Sequence, residues 1–151
     1  EPQLLVLAQQ VEDAVSKGAK VLGGGRRAGR PGNYFEPTVL VDVDHRMQVM
    51  REESFGPIIG IQVVEDDAEA VRLMNDTDYG LTAGVYTRDA GRAKRILSQV
   101  DVGTTYWNCC DRVSPRLPWT GRKGSGIGST LSTHGIRTFL VPKAWHLRSS
   151  P

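Results

Sequence analysis

Ile58-Ile59-Gly60-Ile61-Gln62-Val63-Val64 is an almost unbroken apolar run, the mark of a strand covered on both faces. The fifty residues behind it decide the fold. Asp66 or Asp67 stands where a helix N-cap is wanted, and Ala70, Val71 and Met74, with Leu73 beside them, make the inner face of the next helix. Gly80 ends that unit and Leu81 to Thr87 is the next strand. Asp89 then caps a second helix with Ala90, Ala93, Ile96, Leu97 and Val100 inward, and Val102 to Trp107 is a further strand. Strand–helix–strand–helix–strand over about fifty residues predicts an α/β fold built on a parallel sheet with right-handed crossover helices.

Upstream, Leu4, Leu7, Ala8, Val11, Ala14 and Val15 recur at helical spacing and define one helical face, which Gly18 stops. Ala19 to Leu22 is a short strand candidate closed by Gly23-Gly24-Gly25. A glycine run cradles phosphate when a helix N-terminus stands directly behind it. Here a Gly-, Pro- and Arg-rich loop runs on to Asn33, so a turn is the better reading. Tyr34 to Val43 reads as a strand from Thr38 onward, and Asp44 to Arg51 shows no clear period. Arg51-Glu52-Glu53-Ser54-Phe55-Gly56-Pro57 is then a short loop feeding the run at Ile58. Loops held at strand ends by a scaffold are favoured places for ligand contacts.

Downstream, Asn108 to Arg116 is polar and irregular, and Leu117 to Gly128 is dense in glycine around one large aromatic, Trp119. Pro118 to Lys123 reads as no strand. A helical piece is expected around Ser132 to Phe139, and Pro142 to Leu147 reads as a final strand.

With 151 residues the chain is long enough for one domain with a real core. A net charge of +2 is too small to argue for nucleic acid, and the cluster Arg26, Arg27 and Arg30 reads as a solvated loop. No apolar stretch approaches the roughly 18 residues that span a bilayer, and no signal segment opens the chain. Two adjacent cysteines offer no disulfide framework, so a reducing, cytoplasmic compartment is the default. Glu1-Pro2-Gln3 runs straight into a helix pattern without an initiator Met, as a piece of something longer would.

Candidate chemistry is sparse. Glu52 and Glu53 sit next to each other on extended backbone and so face opposite ways; at most one faces any given pocket, and surface carboxylates are the better reading from the residues alone. Cys109-Cys110 has no local base or cation to activate a thiolate, so a buried structural pair is expected. Gly124-Ser125-Gly126-Ile127-Gly128 has the wrong spacing for a dinucleotide fingerprint and no strand before it. His45, His134 and His146 lack metal-ligand spacing and read as isolated histidines, so no metal site is expected. For Trp119, a pocket wall and a packing anchor stand equally.

Four collinear stretches resemble the aldehyde dehydrogenase superfamily. Glu52-Glu53-Ser54-Phe55-Gly56-Pro57 looks like its Glu-Glu-x-Phe-Gly-Pro segment. Gly25 through Tyr34-Phe35-Glu36-Pro37-Thr38-Val39 resembles its glycine loop and Gly-x-(Tyr/Phe)-x-x-Pro-Thr strand. Asn75-Asp76-Thr77-Asp78-Tyr79-Gly80-Leu81-Thr82-Ala83 resembles its Asn-x-(Ser/Thr)-x-Tyr-Gly-Leu-x-(Ala/Gly) segment. Gly103 to Asn108 and then Pro118-Trp119-Thr120-Gly121-Arg122-Lys123-Gly124-Ser125-Gly126 resemble its Gly-x-x-x-x-Asn and Pro-(Phe/Trp)-x-Gly-x-Lys-x-Ser-Gly run.

The resemblance implies NAD(P)-dependent oxidation of an aldehyde to a carboxylic acid. In that chemistry a cysteine thiolate attacks the carbonyl, hydride leaves to the nicotinamide, and a glutamate-activated water hydrolyses the thioester. Carried over by motif, Glu53 would accept from the nicotinamide ribose hydroxyls, Phe55 would pack near the nicotinamide ring, and Trp119 would line the substrate tunnel. Cys109 and Cys110 do not match the family nucleophile. That nucleophile, the catalytic glutamate and the Rossmann-type cofactor domain all lie ahead of the matched segments, so the resemblance implies no catalytic residue here. Residues 1–138 would be the C-terminal part of the catalytic domain, and 139–151 a tail resembling the oligomerisation strand of a homo-oligomer. The isolated chain would be inactive; the alternative is a non-catalytic structural or oligomerisation module derived from such an enzyme.

Overall fold

Pro2 at the first helical position and the apolar spacing behind it start α1 (Pro2–Ser16), in a computed structural model that describes residues 1–109 and 112–149. Proline suits that position because its missing N–H would have no helical partner. The helix stops at Lys17, and Gly18 takes φ +107°, a left-handed turn that side chains resist. Its buried residues are Leu4, Leu7, Gln10, Val11 and Ala14. Ala8 and Val15, expected inward, are exposed, and Gln10 is buried instead. Helical periodicity admits both sets, and only packing chooses between them.

The chain divides into two compact units, Glu1–Asp78 and Tyr79–Pro151, where length alone allows one domain. In the first, β1 (Lys20–Gly23) pairs antiparallel with β2 (Thr38–Val41), and β2 pairs parallel with β3 (Ile58–Ile61) in register Thr38 opposite Ile58 through Val41 opposite Ile61. The glycine run after β1 closes onto the start of β2: Gly25 N donates to Thr38 Oγ1 at 2.8 Å, and a Cβ at Gly24 would overlap the Pro37 carbonyl. That backbone serves the chain's own turn.

Ala14, Ala19, Leu40, Val43 and Met47 form one core cluster, and Leu4, Leu7, Val11 and Phe35 a second, with Ile58 packed against both. A short 3-10 helix, Gln48–Met50, lies in the stretch that showed no period. β3 is shorter than its apolar run and is covered on one face only. Ile59, Ile61 and Val63 alternate outward at 57, 46 and 91 % exposure, so the two-sided burial expected of this strand is not found. Ile58 packs against both core clusters, and the pleat sends every second residue to the other side.

α2 (Asp67–Asn75) starts at Asp66, whose carboxylate accepts from Glu69 N at 2.8 Å. Leu73 is its buried side chain; Ala70, Val71 and Met74, expected to be the inner face, are half-buried.

The second unit opens with β4 (Tyr79–Gly80) and β5 (Thr82–Val85), then α3 (Ala90–Leu97) and β6 (Thr104–Trp107). β5 and β6 pair in parallel with α3 between them, and Asp89 caps α3 by accepting from Arg92 N at 3.0 Å. Ala93, Ile96 and Val100 are buried as expected, while Ala90 is exposed and Leu97 half-buried. The parallel pairs that carry the α/β reading are β2–β3 within the first unit and β5–β6 within the second.

The glycine-dense stretch also differs from expectation. β7 (Trp119–Thr120) pairs antiparallel with β9 (Ser129–Thr130), and β8 (Arg122–Lys123) pairs antiparallel with β4. Two-residue ladders have no periodicity for a sequence to display. Gly103 makes the packing possible, because a Cβ there would overlap the Thr120 carbonyl. α4 (Ser132–Arg137) lies where a helical piece is expected. The final strand read over 142–147 joins no ladder among the described residues, and that stretch is exposed throughout. An extended segment without a neighbouring strand leaves its N–H and C=O groups to water.

Candidate functional site

The loop Arg51–Pro57 is built from its anchors inward. Gln48 O accepts from Arg51 N at 3.0 Å and from Glu52 N at 2.8 Å, which closes the 3-10 turn and starts the loop. Gln48 N in turn donates to Asp13 Oδ2 of α1 at 2.9 Å. The Lys17 ammonium, 2.6 Å from the other Asp13 oxygen, and that Gln48 N–H hold the Asp13 carboxyl below its usual range.

On the far side, Thr77 Oγ1 donates to Arg51 O at 3.0 Å, and the Arg51 guanidinium lies 3.8 Å from Asp76 Oδ1. His45 Nδ1 is 3.0 Å from Asp76 Oδ2 and 3.2 Å from Asp76 O. His45 is therefore part of a paired network, in contrast to the isolated histidine expected from the sequence. Its partner lies 31 residues away, a separation no local pattern encodes. His134 and His146 are exposed.

The second half of the loop rests on α1. Gln3 Nε2 donates to Ser54 O, and Gly56 lies so close to Leu7 that a Cβ would meet its methyls at 2.6 Å. The loop ends where Thr38 N donates to Pro57 O at 2.8 Å, which aligns it with β2.

Between these anchors stand the two residues carried over by motif. Glu53 is exposed, and Phe55 is 81 % exposed with φ +43°. A large aromatic in the left-handed region and in solvent is uncommon, and such conformations concentrate at ligand-contacting positions. One short loop thus presents a carboxylate acceptor and a flat apolar ring two residues apart. Glu52, next to Glu53, is also exposed.

Trp119 belongs to the second unit. It is half-buried on β7, opposite Thr130, and Thr120 Oγ1 fastens the ladder by donating to Gly128 O at 2.8 Å. Cys109 is exposed, so the buried cysteine pair expected from the sequence is not formed as read; Cys110 lies outside the described residues. Cys109 comes directly after Asn108, which mimics a backbone partner. Asn108 Oδ1 accepts from Thr87 N at 2.9 Å and Nδ2 donates to Thr87 O at 2.8 Å, so the strand end that carries Cys109 is tied down.

The motif names Glu53 and Phe55 as candidates, while the residues that hold their loop, Gln3, Asp13, His45, Asp76 and Thr77, carry no local signal beyond the place of Asp76 and Thr77 inside a family-like motif.

Comparison with known proteins agrees over nearly the whole chain. The sequence profile of the Aldehyde dehydrogenase family matches residues 1–145. The succinate-semialdehyde dehydrogenase [NADP(+)] of Deinococcus radiodurans is 41 % identical over 137 residues, which is 91 % of this chain and 29 % of that protein. The crystal structure of lactaldehyde dehydrogenase from Escherichia coli superposes with a TM-score of 0.94 at 34 % identity, covering 99 % of this chain and 31 % of the other. A betaine aldehyde dehydrogenase from Staphylococcus aureus, solved in complex with NAD+, superposes with a TM-score of 0.87 at 31 % identity, over 99 % of this chain and 32 % of the other. The chain spans about a third of the length of these proteins or slightly less.

Proposed function

The chain belongs to the aldehyde dehydrogenase family, and from that premise we propose that it supplies part of a site where an aldehyde is oxidised to a carboxylic acid with NAD+ or NADP+. The nicotinamide cofactor, when bound, supplies the hydride acceptor. Glu53 accepts hydrogen bonds from the nicotinamide ribose hydroxyls, Phe55 gives the ring a flat apolar neighbour, and Trp119 contributes an aromatic wall for the substrate. The observation that carries this reading is the loop Arg51–Pro57, anchored along its length while Glu53 and Phe55 stand in solvent. A carboxylate and a ring pre-set in this way bind without the entropic cost of first ordering the loop.

We read the chain as the C-terminal part of a catalytic domain, 1–138, with a tail at 139–151, in a cytoplasmic protein. Residues 1–151 alone would not turn over an aldehyde, since the family's nucleophile and cofactor domain belong to other segments. The test uses the native polypeptide that carries this sequence, titrated with NAD+ and NADP+. Glu53→Gln should weaken binding about tenfold, the loss of a charge-assisted hydrogen bond. Unchanged affinity would remove Glu53 from the site. Steady NAD(P)H absorbance from purified residues 1–151 with an aldehyde would overturn the assignment of a partial site.

A second reading, a non-catalytic structural or oligomerisation module, is favoured by the tail. Phe139, Val141, Trp145 and Leu147 are 89, 91, 69 and 79 % exposed, more apolar surface than a solvated terminus carries without use. Pairing of this tail with another copy would make a homo-oligomer under either reading. Sedimentation as a single small oligomer with no NAD+ or aldehyde binding would select the module.

A further inference from the structure

We propose that Thr77 is a positioning residue for the loop that presents Glu53 and Phe55, an inference that rests on the cofactor reading above. Thr77 comes directly after Asp76, the residue that ends α2 with φ −82° and ψ 59°. From there its hydroxyl reaches back 26 residues to the carbonyl of Arg51. The Arg51 N–H is already bonded to Gln48 O, so the hydroxyl ties the remaining polar group of that residue's backbone. Asp76 strengthens the same grip: His45 holds one carboxylate oxygen, and the other faces the Arg51 guanidinium.

The opposite end is gripped from α1. Gln3 takes the Ser54 carbonyl and Leu7, one helical turn later, fills the space under Gly56. Phe55 sits between those two anchors at φ +43°. A non-glycine residue holds such a conformation only when its surroundings over-determine it. With Arg51 fixed at one end and Ser54 and Gly56 at the other, few backbone paths remain, and the observed one turns Phe55 outward. Releasing the Arg51 end reopens the others, so Thr77 acts on the cofactor through Glu53 and Phe55 without touching it.

The experiment is hydrogen exchange, read by mass spectrometry on the native polypeptide, together with the rate of tryptic cleavage after Arg51. Thr77→Val removes the donor and keeps the shape. It should speed exchange over residues 52–56 and cleavage after Arg51 several-fold, while β2 and β3 peptides keep their wild-type rates. Thr77→Ser restores the hydroxyl and should restore both readouts. Wild-type exchange in Thr77→Val would overturn the proposal, and so would an acceleration shared equally by β2 and β3, which would make Thr77 a general stabiliser. NAD+ titration of Glu53→Gln separates the two ideas. If that affinity is unchanged while Thr77→Val still loosens the loop, the clamp stands and the cofactor role of Glu53 falls. If Glu53→Gln weakens binding and Thr77→Val leaves the loop as it was, the clamp falls and the cofactor reading stands.

Discussion

In Glu1–Asp78 the parallel pair β2–β3 has a third strand beside it and the 15-residue α1 contributing to its core. In Tyr79–Pro151 the parallel pair β5–β6 is a two-stranded ribbon served by the 8-residue α3. The strands are alike in length; what differs is the depth of burial. Leu40, Ala14 and Met47 are 0, 0 and 1 % exposed, and two clusters connect through Ile58. The second unit buries Ala93, Ile96, Val100 and Tyr106 and leaves Ile127, Phe139, Val141 and Trp145 in solvent. A two-stranded ribbon is marginal in water, and a third strand with a helical cover is the usual remedy. The difference bears on function as much as on stability. The residues expected to hold a cofactor sit on the deeply packed unit, where a loop can be pinned from a helix, whereas Trp119 sits on a two-residue ladder.

The contrast breaks most readily at Leu40. Leu40→Ala should cost about 3 kcal/mol, the transfer and cavity loss of a fully buried leucine, seen as a lower denaturant midpoint with loss of amide protection in β2. A loss of under about 1 kcal/mol would mean that the first unit is no better packed than the second. Next comes the cap of α3. Asp89→Ala should lower the denaturant midpoint by less than Leu40→Ala does, measured by the same denaturation with protection read in α3 and β6. No change would show that packing of Ala93 and Ile96 holds that helix without its cap.

The smallest effect is electrostatic, and it sharpens the contrast by pH. The Arg46 guanidinium lowers the Asp44 carboxyl from its ordinary 3.8 to about 2, and Asp13 is lowered by Lys17 and the Gln48 N–H. A carboxyl depressed in the folded state stabilises above its unfolded pKa, and that contribution is lost as pH falls through the folded value. Between about pH 4 and pH 2 the first unit should lose the Asp44 contribution, and that of Asp13 goes as pH falls through its own lowered value. Among the described residues, the second unit has one such depressed carboxyl, Asp89, held by the Arg92 N–H. Both aspartates of the first unit are screened by solvent or only slightly covered, so the effect is modest. An acid titration followed at β2 and β6 amides checks it; an earlier loss at β6 would reverse the order.

The sequence by itself determined the elements whose causes are local. α1 comes from its apolar period and Gly18, the starts of α2 and α3 from Asp66 and Asp89, and the strands at Thr38, Ile58, Thr82 and Thr104 from β-branched and apolar runs. It also determined the family, through motifs that place Glu53 and Phe55 on one loop. Tertiary structure alone decided that β3 pairs with β2, that its apolar run is covered on one side, and that Gln10 is buried where Ala8 is exposed. It alone joined His45 to Asp76, Thr77 to Arg51 and Gln3 to Ser54, across separations of 31, 26 and 51 residues. The physical reason is range. Periodicity, caps and turn chemistry act within a few residues, whereas those contacts exist only once the chain has closed long loops and packing has chosen among faces that the pattern left equivalent.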